Sequence, residues 1–320
     1  MKSAKKRELR IVFMGTPEFA TASLARLIEE GYRIVGVITA PDKPAGRGRK
    51  LQQSDVKRFA ITKGLKIMQP TNLKDETFLS QLKALNANLQ IVVAFRMLPK
   101  AVWAMPVFGT FNLHASLLPD YRGAAPINWA IINGESQTGV TTFFIDDKID
   151  TGEIILQEKV AITEEETAGM LHDKLMEMGA ELVHKTVRAI EHDQVETKLQ
   201  QGGPQLNIAH KIYKDTCRID WTMSLNTIYN KIRGMSPYPT AWTKLLNGDE
   251  ELMVKVYLAR KERKEHQWPL GKLFSDKKEL KVAVDGGFIY LLELQLPGRK
   301  KMKIQDVLNG LTLHEDAKVC

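Results

Sequence analysis

The chain has 320 residues, 43% of them hydrophobic and 26% charged, with 46 Lys plus Arg against 38 Asp plus Glu for a formal net charge of +8. That length and apolar content suit two domains with proper cores and exclude a stapled mini-protein. Its two cysteines, Cys217 and Cys320, lie far apart, which excludes a disulfide framework and a cysteine zinc site and fits a reduced, cytoplasmic setting.

The basic start MKSAKKRELR runs into a β-like segment rather than a signal-peptide core. No stretch approaches the ~18 apolar residues of a membrane span, so a soluble, unprocessed chain is expected. Over the first two thirds, short β-branched runs alternate with helical patterns, which predicts a Rossmann-like parallel α/β sheet. Strands are expected at Arg10 to Met14, Arg33 to Ile38, Lys66 to Met68, Gln90 to Phe95, Thr110 to His114 and Val140 to Phe144. Helices are expected at Phe19 to Glu30, Ser54 to Lys63, Glu76 to Leu85, Pro99 to Ala104 and Ile127 to Ile132. The turn Gly15-Thr16-Pro17 is not G-x-G-x-x-G, so no dinucleotide is inferred from it. Pro41 to Lys50 holds two prolines, two glycines and the cations Lys43, Arg47, Arg49 and Lys50, and reads as a basic, unstructured, solvated loop.

Phe111 to Thr151 concentrates the chemistry. Asn112 and His114 stand two apart in a strand-like run, so their side chains share a face. Asp150 lies in an Asp-Thr-Gly turn after the next strand, where a carboxylate can meet an imidazole. Taken singly, these residue types more often pack, cap a backbone or shape a turn. Their company sets them apart: Ser116-Leu117-Leu118-Pro119 follows at once, then Tyr121-Arg122-Gly123-Ala124-Ala125-Pro126 opens an apolar helix. Ligands in open α/β sheets bind beyond the carboxyl ends of strands, which is where His114 and the Asp150 turn should lie.

A hairpin-like segment, Glu153 to Ile162, leads to a long helix from about Glu165 to His192, whose Leu171, Leu175, Met178, Leu182 and Ile190 read as core packing. Gln200-Gln201-Gly202-Gly203-Pro204 reads as a linker. Beyond it, a helix at Ser224 to Ile232 and short runs at Leu252 to Ala259, Leu280 to Val284 and Phe288 to Leu294 suggest a small β-barrel. From Ala209 to Cys320 there are 20 Lys plus Arg and 14 Asp plus Glu, so most of the positive excess falls there and favours a polyanionic partner. The domain boundaries expected are 1–192, a linker at 193–208, and 209–320.

These motifs resemble the folate-dependent formyltransferases, and within them the branch that acts on methionyl-tRNA. The resemblance begins at Ile11 to Phe19, continues through Pro41 to Lys50 and the Asn112 block, and reaches Arg233-Gly234-Met235-Ser236-Pro237-Tyr238-Pro239. It implies an N-terminal formyltransferase domain and an OB-like C-terminal barrel that binds tRNA. It also implies formyl transfer from 10-formyltetrahydrofolate to the amine of initiator methionyl-tRNA, without metal. Asn112 and His114, as imidazolium, would face the developing oxyanion, and Asp150 would relay the amine proton directly or through water. Ser116, Leu117, Leu118 and Pro119 would belong to the folate pocket. Lys43, Arg47, Arg49 and Lys50 would meet the acceptor arm of the tRNA. Arg122 is left between surface and pocket. Two departures flank the expected pocket: Asp120-Tyr121 stands where many relatives carry a basic residue and a tryptophan, and Phe95-Arg96 where many carry Tyr-Gly. Two rival readings are a small-amine formyltransferase, acting on glycinamide ribonucleotide or an amino sugar, and a non-catalytic RNA-binding protein. No coiled coil or long apolar edge points to obligate assembly, so a monomer is expected.

Overall fold

The computed structural model describes residues 6–45, 50–203, 206–276 and 278–320. Two compact units emerge: one gathers the described residues up to Gly123 with Gly139–Val160 and His172–Ile208, the other Ala124–Thr138, Ala161–Leu171 and Ala209–Cys320.

In chain order the elements are β1 (Arg10–Gly15), α1 (Glu18–Glu29), β2 (Arg33–Ile38), β3 (Lys43–Ala45), β4 (Lys50–Gln52), α2 (Asp55–Thr62), β5 (Ile67–Met68), α3 (Glu76–Ala84) and β6 (Leu89–Val93). Then follow α4 (Lys100–Trp103), β7 (Thr110–His114), β8 (Arg122–Gly123), α5 (Pro126–Ile132), β9 (Gln137–Phe144), β10 (Ile154–Ala161) and α6 (Ala168–Glu191). The first unit is built on a seven-stranded sheet in the order β10-β9-β7-β6-β1-β2-β5. From β5 to β7 neighbouring strands run parallel. Residues on β1 and β6 are buried almost without a break, as expected for strands covered on both faces.

One strand differs from expectation, because β9 runs antiparallel to β7. A parallel return needs a crossover helix on the sheet, and the helix between these strands, α5, belongs to the other unit. The stretch expected as a hairpin at Glu153 to Ile162 is the single edge strand β10, paired with β9.

The faces of β7 explain its sequence. Leu113 packs against Gly179 of α6, where an added Cβ would meet a Leu113 methyl at 2.7 Å. Thr142, opposite Leu113 on β9, shares a 2.8 Å hydrogen bond with Thr186 of α6. Asn112 and His114 therefore project from the other face, beside Val92 of β6 and opposite Phe143 and Thr141 of β9.

The second unit holds an antiparallel barrel of strands Leu273–Ser275, Leu280–Val284, Gly287–Gln295, Glu250–Arg263, Ala241–Asn247 and Lys318–Val319, in that spatial order. Its first and last strands meet: Val319 N–H donates to Gly271 O at 2.9 Å, and Lys272 bridges Lys318. The long strand shifts register near Leu258, and such bulges bend a strand around a barrel. Ile228, Ile232 and Met235 of α7 (Leu225–Met235) complete the core with Val256, Val282, Ile289 and Leu291. Ser224 caps that helix by accepting from Thr227 N–H at 3.3 Å. Arg233, in the Arg-Gly-Met-Ser-Pro run, is 7% exposed and donates to the carbonyls of Thr163 (3.1 Å) and Glu166 (3.0 Å) and to Asn230 Oδ1 (2.9 Å). Burial pushes its guanidinium below the ordinary arginine range.

Candidate active site

At the carboxyl end of β7, His114 is 6% exposed and its Nε2 lies 2.8 Å from the carbonyl oxygen of Tyr121. A carbonyl only accepts, so Nε2 carries a proton and donates. That bond leaves Nδ1 as the nitrogen facing Asp150, whose Oδ2 lies 3.9 Å away. Asn112 is partly exposed, and among the described residues its carboxamide makes no hydrogen bond. Two residues along a strand span about 6.6 Å, so carboxamide and ring stand near enough to share one small group.

Asp150 sits in the loop between β9 and β10. Thr151 Oγ1 donates to Asp146 Oδ1 at 2.8 Å, and Lys148 N–H reaches the same oxygen at 3.0 Å, closing one side of the loop. Gly123 N–H donates to Asp150 Oδ2 at 2.9 Å. The loop ends at Gly152, where a Cβ would stand 1.6 Å from the Phe144 carbonyl oxygen, so nothing larger than glycine fits. Non-glycine residues with left-handed φ ring the site: Ala94 (+47°) after β6, Tyr121 (+59°) and Asp150 (+54°). Each such conformation costs about 1–3 kcal/mol and persists only where the surroundings over-determine it.

The turn Ser116 to Pro119 contains a cis Leu118–Pro119 bond. Ser116 is fully buried; its hydroxyl donates to Asp120 O at 2.6 Å, and its carbonyl accepts from Thr141 Oγ1 at 2.6 Å. Leu118 is 3% exposed and packs with Phe143 and Ile154, while Leu117 and Pro119 keep part of their surface. The turn is thus braced from within by Ser116 and Leu118, and the surface it offers belongs to Leu117 and Pro119.

Both departures from the expected motif have structural partners. Asp120 Oδ1 accepts from Asn207 N–H at 3.1 Å, and Tyr121 N–H donates to Asn207 O at 2.7 Å. Arg96 donates to Thr71 O at 2.9 Å and to Pro70 O, and its guanidinium stacks over Phe95. An open cavity of about 400 Å³ adjoins the Asp150 loop, lined by Arg122, Asp146, Asp147, Lys148, Thr151, Gln200 and Gly202.

Pro41 to Lys50, expected to lack structure, contributes a short hairpin in which Lys43 pairs with Gln52 and Ala45 with Lys50. Extended arms can still pair through main-chain hydrogen bonds, which polar side chains do not forbid. Lys43 is exposed. Arg47 and Arg49 lie outside the described residues, as does the side chain of Lys50. Asp42 at the hairpin base accepts from Lys57 Nζ at 2.6 Å and Gln69 Nε2 at 2.8 Å. Those two hydrogen bonds hold its carboxyl below the usual carboxylate range. The Tyr121 carbonyl is the participant that sequence reasoning missed.

Among the described residues no three His, Cys, Asp or Glu side chains converge as a metal site, and no helix is long and apolar enough to cross a membrane.

Comparison with known proteins identifies the family. Residues 9–187 match the family described as formyl transferase, and residues 211–312 match its C-terminal domain. The methionyl-tRNA formyltransferase of Flavobacterium johnsoniae is 59% identical over 312 residues, 98% of this chain and 99% of the relative. That of Bacteroides thetaiotaomicron is 52% identical over 320 residues, again 98% and 99% of the two chains. Among solved structures, the sugar 3N-formyl transferase WlaRD matches with a TM-score of 0.64 at 19% identity, over 92% of this chain and all of that one. HypX from Aquifex aeolicus in complex with tetrahydrofolic acid matches with a TM-score of 0.65 at 17% identity, over 94% of this chain and 47% of that one. At those identities the likeness is one of fold, whereas family match and relatives run through both units of the chain, which belongs to the formyl transferase family.

Proposed function

We propose that the chain transfers the formyl group of 10-formyltetrahydrofolate to the α-amino group of methionine on initiator tRNA, in the cytoplasm, giving N-formylmethionyl-tRNA for translation initiation. The observation that carries this reading is identity of 51–59% to proteins named methionyl-tRNA formyltransferase, over nearly the full length of both partners. The small-amine alternatives have only fold-level likeness behind them. The non-catalytic alternative gives no reason for a carboxamide, an imidazole and a carboxylate at one strand end.

The residues present fit a formyl carbonyl and an amine. Asn112 holds unused amide donors beside the His114 ring, on a face that keeps partial exposure. When bound, 10-formyltetrahydrofolate supplies a formyl carbon on nitrogen, open to attack by a neutral amine. The Asn112 carboxamide and the His114 ring donate to the formyl oxygen as it gathers negative charge. Fixed donors of this kind are worth roughly a hundred-fold or more in rate each. Tyr121 orients the ring by accepting from Nε2, so that Nδ1 faces the reacting groups. An amine nitrogen about 2.9 Å from Asp150 Oδ2 would stand beside that ring. From that place Asp150 takes the proton the amine loses, directly or through water, while the nitrogen that leaves the formyl carbon regains one. Leu117 and Pro119 offer apolar surface to the folate, with Ser116 and Leu118 bracing the turn behind them. Lys43, Arg47, Arg49 and Lys50 bring positive charge to the phosphates of the acceptor arm, and the chain works as a monomer. The N-terminal formyltransferase domain takes in 1–192 and the tRNA-binding barrel 209–320.

The test is direct. Purified protein with 10-formyltetrahydrofolate is offered methionyl-tRNA, glycinamide ribonucleotide and an amino-sugar nucleotide in turn, and formylation is measured. Formylation of methionyl-tRNA alone is expected; preference for either small amine would overturn the proposal.

A further inference from the structure

Gln200 falls in the segment that the sequence marks as a linker, and the chemistry above does not use it. Its half-buried carboxamide is nevertheless fully engaged. Nε2 donates to the carbonyl oxygens of Asp150 (3.0 Å) and Gly152 (2.8 Å). Oε1 accepts from Nε (3.1 Å) and Nη2 (2.6 Å) of Arg122. Two donors and two acceptor positions are all an amide has, so none is left for another role. Arg122 carries donors only, which fixes the end of the amide that faces the loop.

The loop so held is the one that needs holding. Asp150 adopts φ +54°, a conformation an L-residue keeps only when its surroundings impose it. Gly123, next in the chain to Arg122, fixes the Asp150 side chain through Oδ2, and Gln200 fixes the main chain on both sides of the turn. Lys198, two residues before Gln200, pairs with Ile154 of β10, so Gln200 itself sits on a fixed backbone.

We propose that Gln200 is a positioning residue for Asp150: through the path Arg122–Gln200–Asp150 it sets the carboxylate opposite His114 Nδ1. The inference rests on the proton-handling role proposed for Asp150. Gln200→Met keeps length and bulk while deleting all four hydrogen bonds. Misplacement of a reacting group by about 1 Å can lower a rate about 100-fold. The expected result is a kcat roughly 10–100-fold below the parent, with KM for methionyl-tRNA and 10-formyltetrahydrofolate changed by less than about 3-fold and a cooperative unfolding transition retained. In an Asp150→Asn background the same substitution should change kcat by less than about 3-fold, because residues acting as a unit are not additive.

Should Gln200→Met fail to fold, Gln200→Glu replaces it. That variant keeps the Arg122 pairing but sets an acceptor against two carbonyl oxygens, and the same loss and non-additivity are expected. Parental kcat in a folded variant, a loss confined to KM, or equal losses in both backgrounds would overturn the inference. Parental kcat for Asp150→Asn alone would remove the role of Asp150 on which it rests. An impaired Asp150→Asn beside a parental Gln200→Met would sink the Gln200 inference only.

Discussion

The Asp150 carboxylate stands 3.9 Å from Nδ1 of His114, while the same Oδ2 accepts from Gly123 N–H at 2.9 Å. The gap to the ring exceeds a hydrogen bond, so the carboxylate and the imidazole are not joined directly. Asp150→Asn keeps an oxygen for Gly123 and removes the base. Formylation should fall about 100- to 10,000-fold in kcat, while KM for either substrate moves far less. Steady-state kinetics with methionyl-tRNA check this, and a parental kcat would rule Asp150 out as proton acceptor.

Asn112 is the one member of the trio without a hydrogen bond among the described residues, and it sits in the middle of β7. Asn112→Ala should leave the strand and the melting temperature nearly intact, because no internal bond is lost. Its kcat should fall on the order of 100–1,000-fold. If the variant instead melted several degrees lower with kcat unchanged, the carboxamide would be a structural group.

Gly152 closes the Asp150 loop under tighter constraint than its sequence suggests. A Cβ there would lie 1.6 Å from the Phe144 carbonyl oxygen on the adjoining strand, and backbone atoms do not swing aside as side chains do. Gly152→Ala should therefore displace the loop or part the strands. Loss of at least about 2 kcal/mol of stability is expected, the scale of a steric clash in a packed interior, together with loss of formylation. Urea denaturation and the formylation assay check both, and full activity at parental stability would contradict the geometry.

Much of this organisation was legible in the chain. β2 and β7 span the residues expected from their β-branched runs, and the shared face of Asn112 and His114 follows from strand alternation alone. What escaped depends on long-range pairing or on main-chain atoms. The antiparallel course of β9 is set by its pairing with β7, which periodicity does not encode. Strand Ala241–Asn247 was missed because its inward positions include Thr243, 1% exposed, whose hydroxyl accepts from Trp221 Nε1 at 2.8 Å. A buried hydroxyl with a distant indole partner interrupts the apolar alternation that marks a strand. The carbonyl of Tyr121 and the amide of Gln200 are likewise invisible, the first because every residue has one, the second because a Gln-Gly-Gly-Pro run reads as spacer.

The base of the basic hairpin titrates in a stated direction. Lys57 and Gln69 hydrogen bond the ionised Asp42, which lowers its folded-state pKa below the unfolded value. A depressed carboxylate contributes stability that is present above the unfolded pKa, about 3.9 for aspartate, and is lost as pH falls through the folded value. Asp42→Asn should therefore lower the urea midpoint near neutral pH, and the difference from the parent should shrink steadily below about pH 4. At pH 7 the variant should also bind methionyl-tRNA more weakly, since the hairpin bearing Lys43 loses its footing. A midpoint difference that stayed constant down to the acid transition would refute the linkage.

Arg233 provides the sharpest stability test in the second unit. It lies in the Arg-Gly-Met-Ser-Pro run, yet the residue is 7% exposed and its guanidinium points at the main-chain oxygens of Thr163 and Glu166. Arg233→Met retains most of the aliphatic stem but leaves those carbonyls without their donor in a dry setting. Arg233→Lys keeps the charge, yet a single ammonium cannot reproduce the planar fork that serves both carbonyls and Asn230. Stranding buried acceptors costs about 1–3 kcal/mol each, so Arg233→Met should lose about 2–5 kcal/mol in urea denaturation, and Arg233→Lys should recover only part of it. If both variants bound tRNA poorly at parental stability, Arg233 would contact RNA instead of bracing the fold.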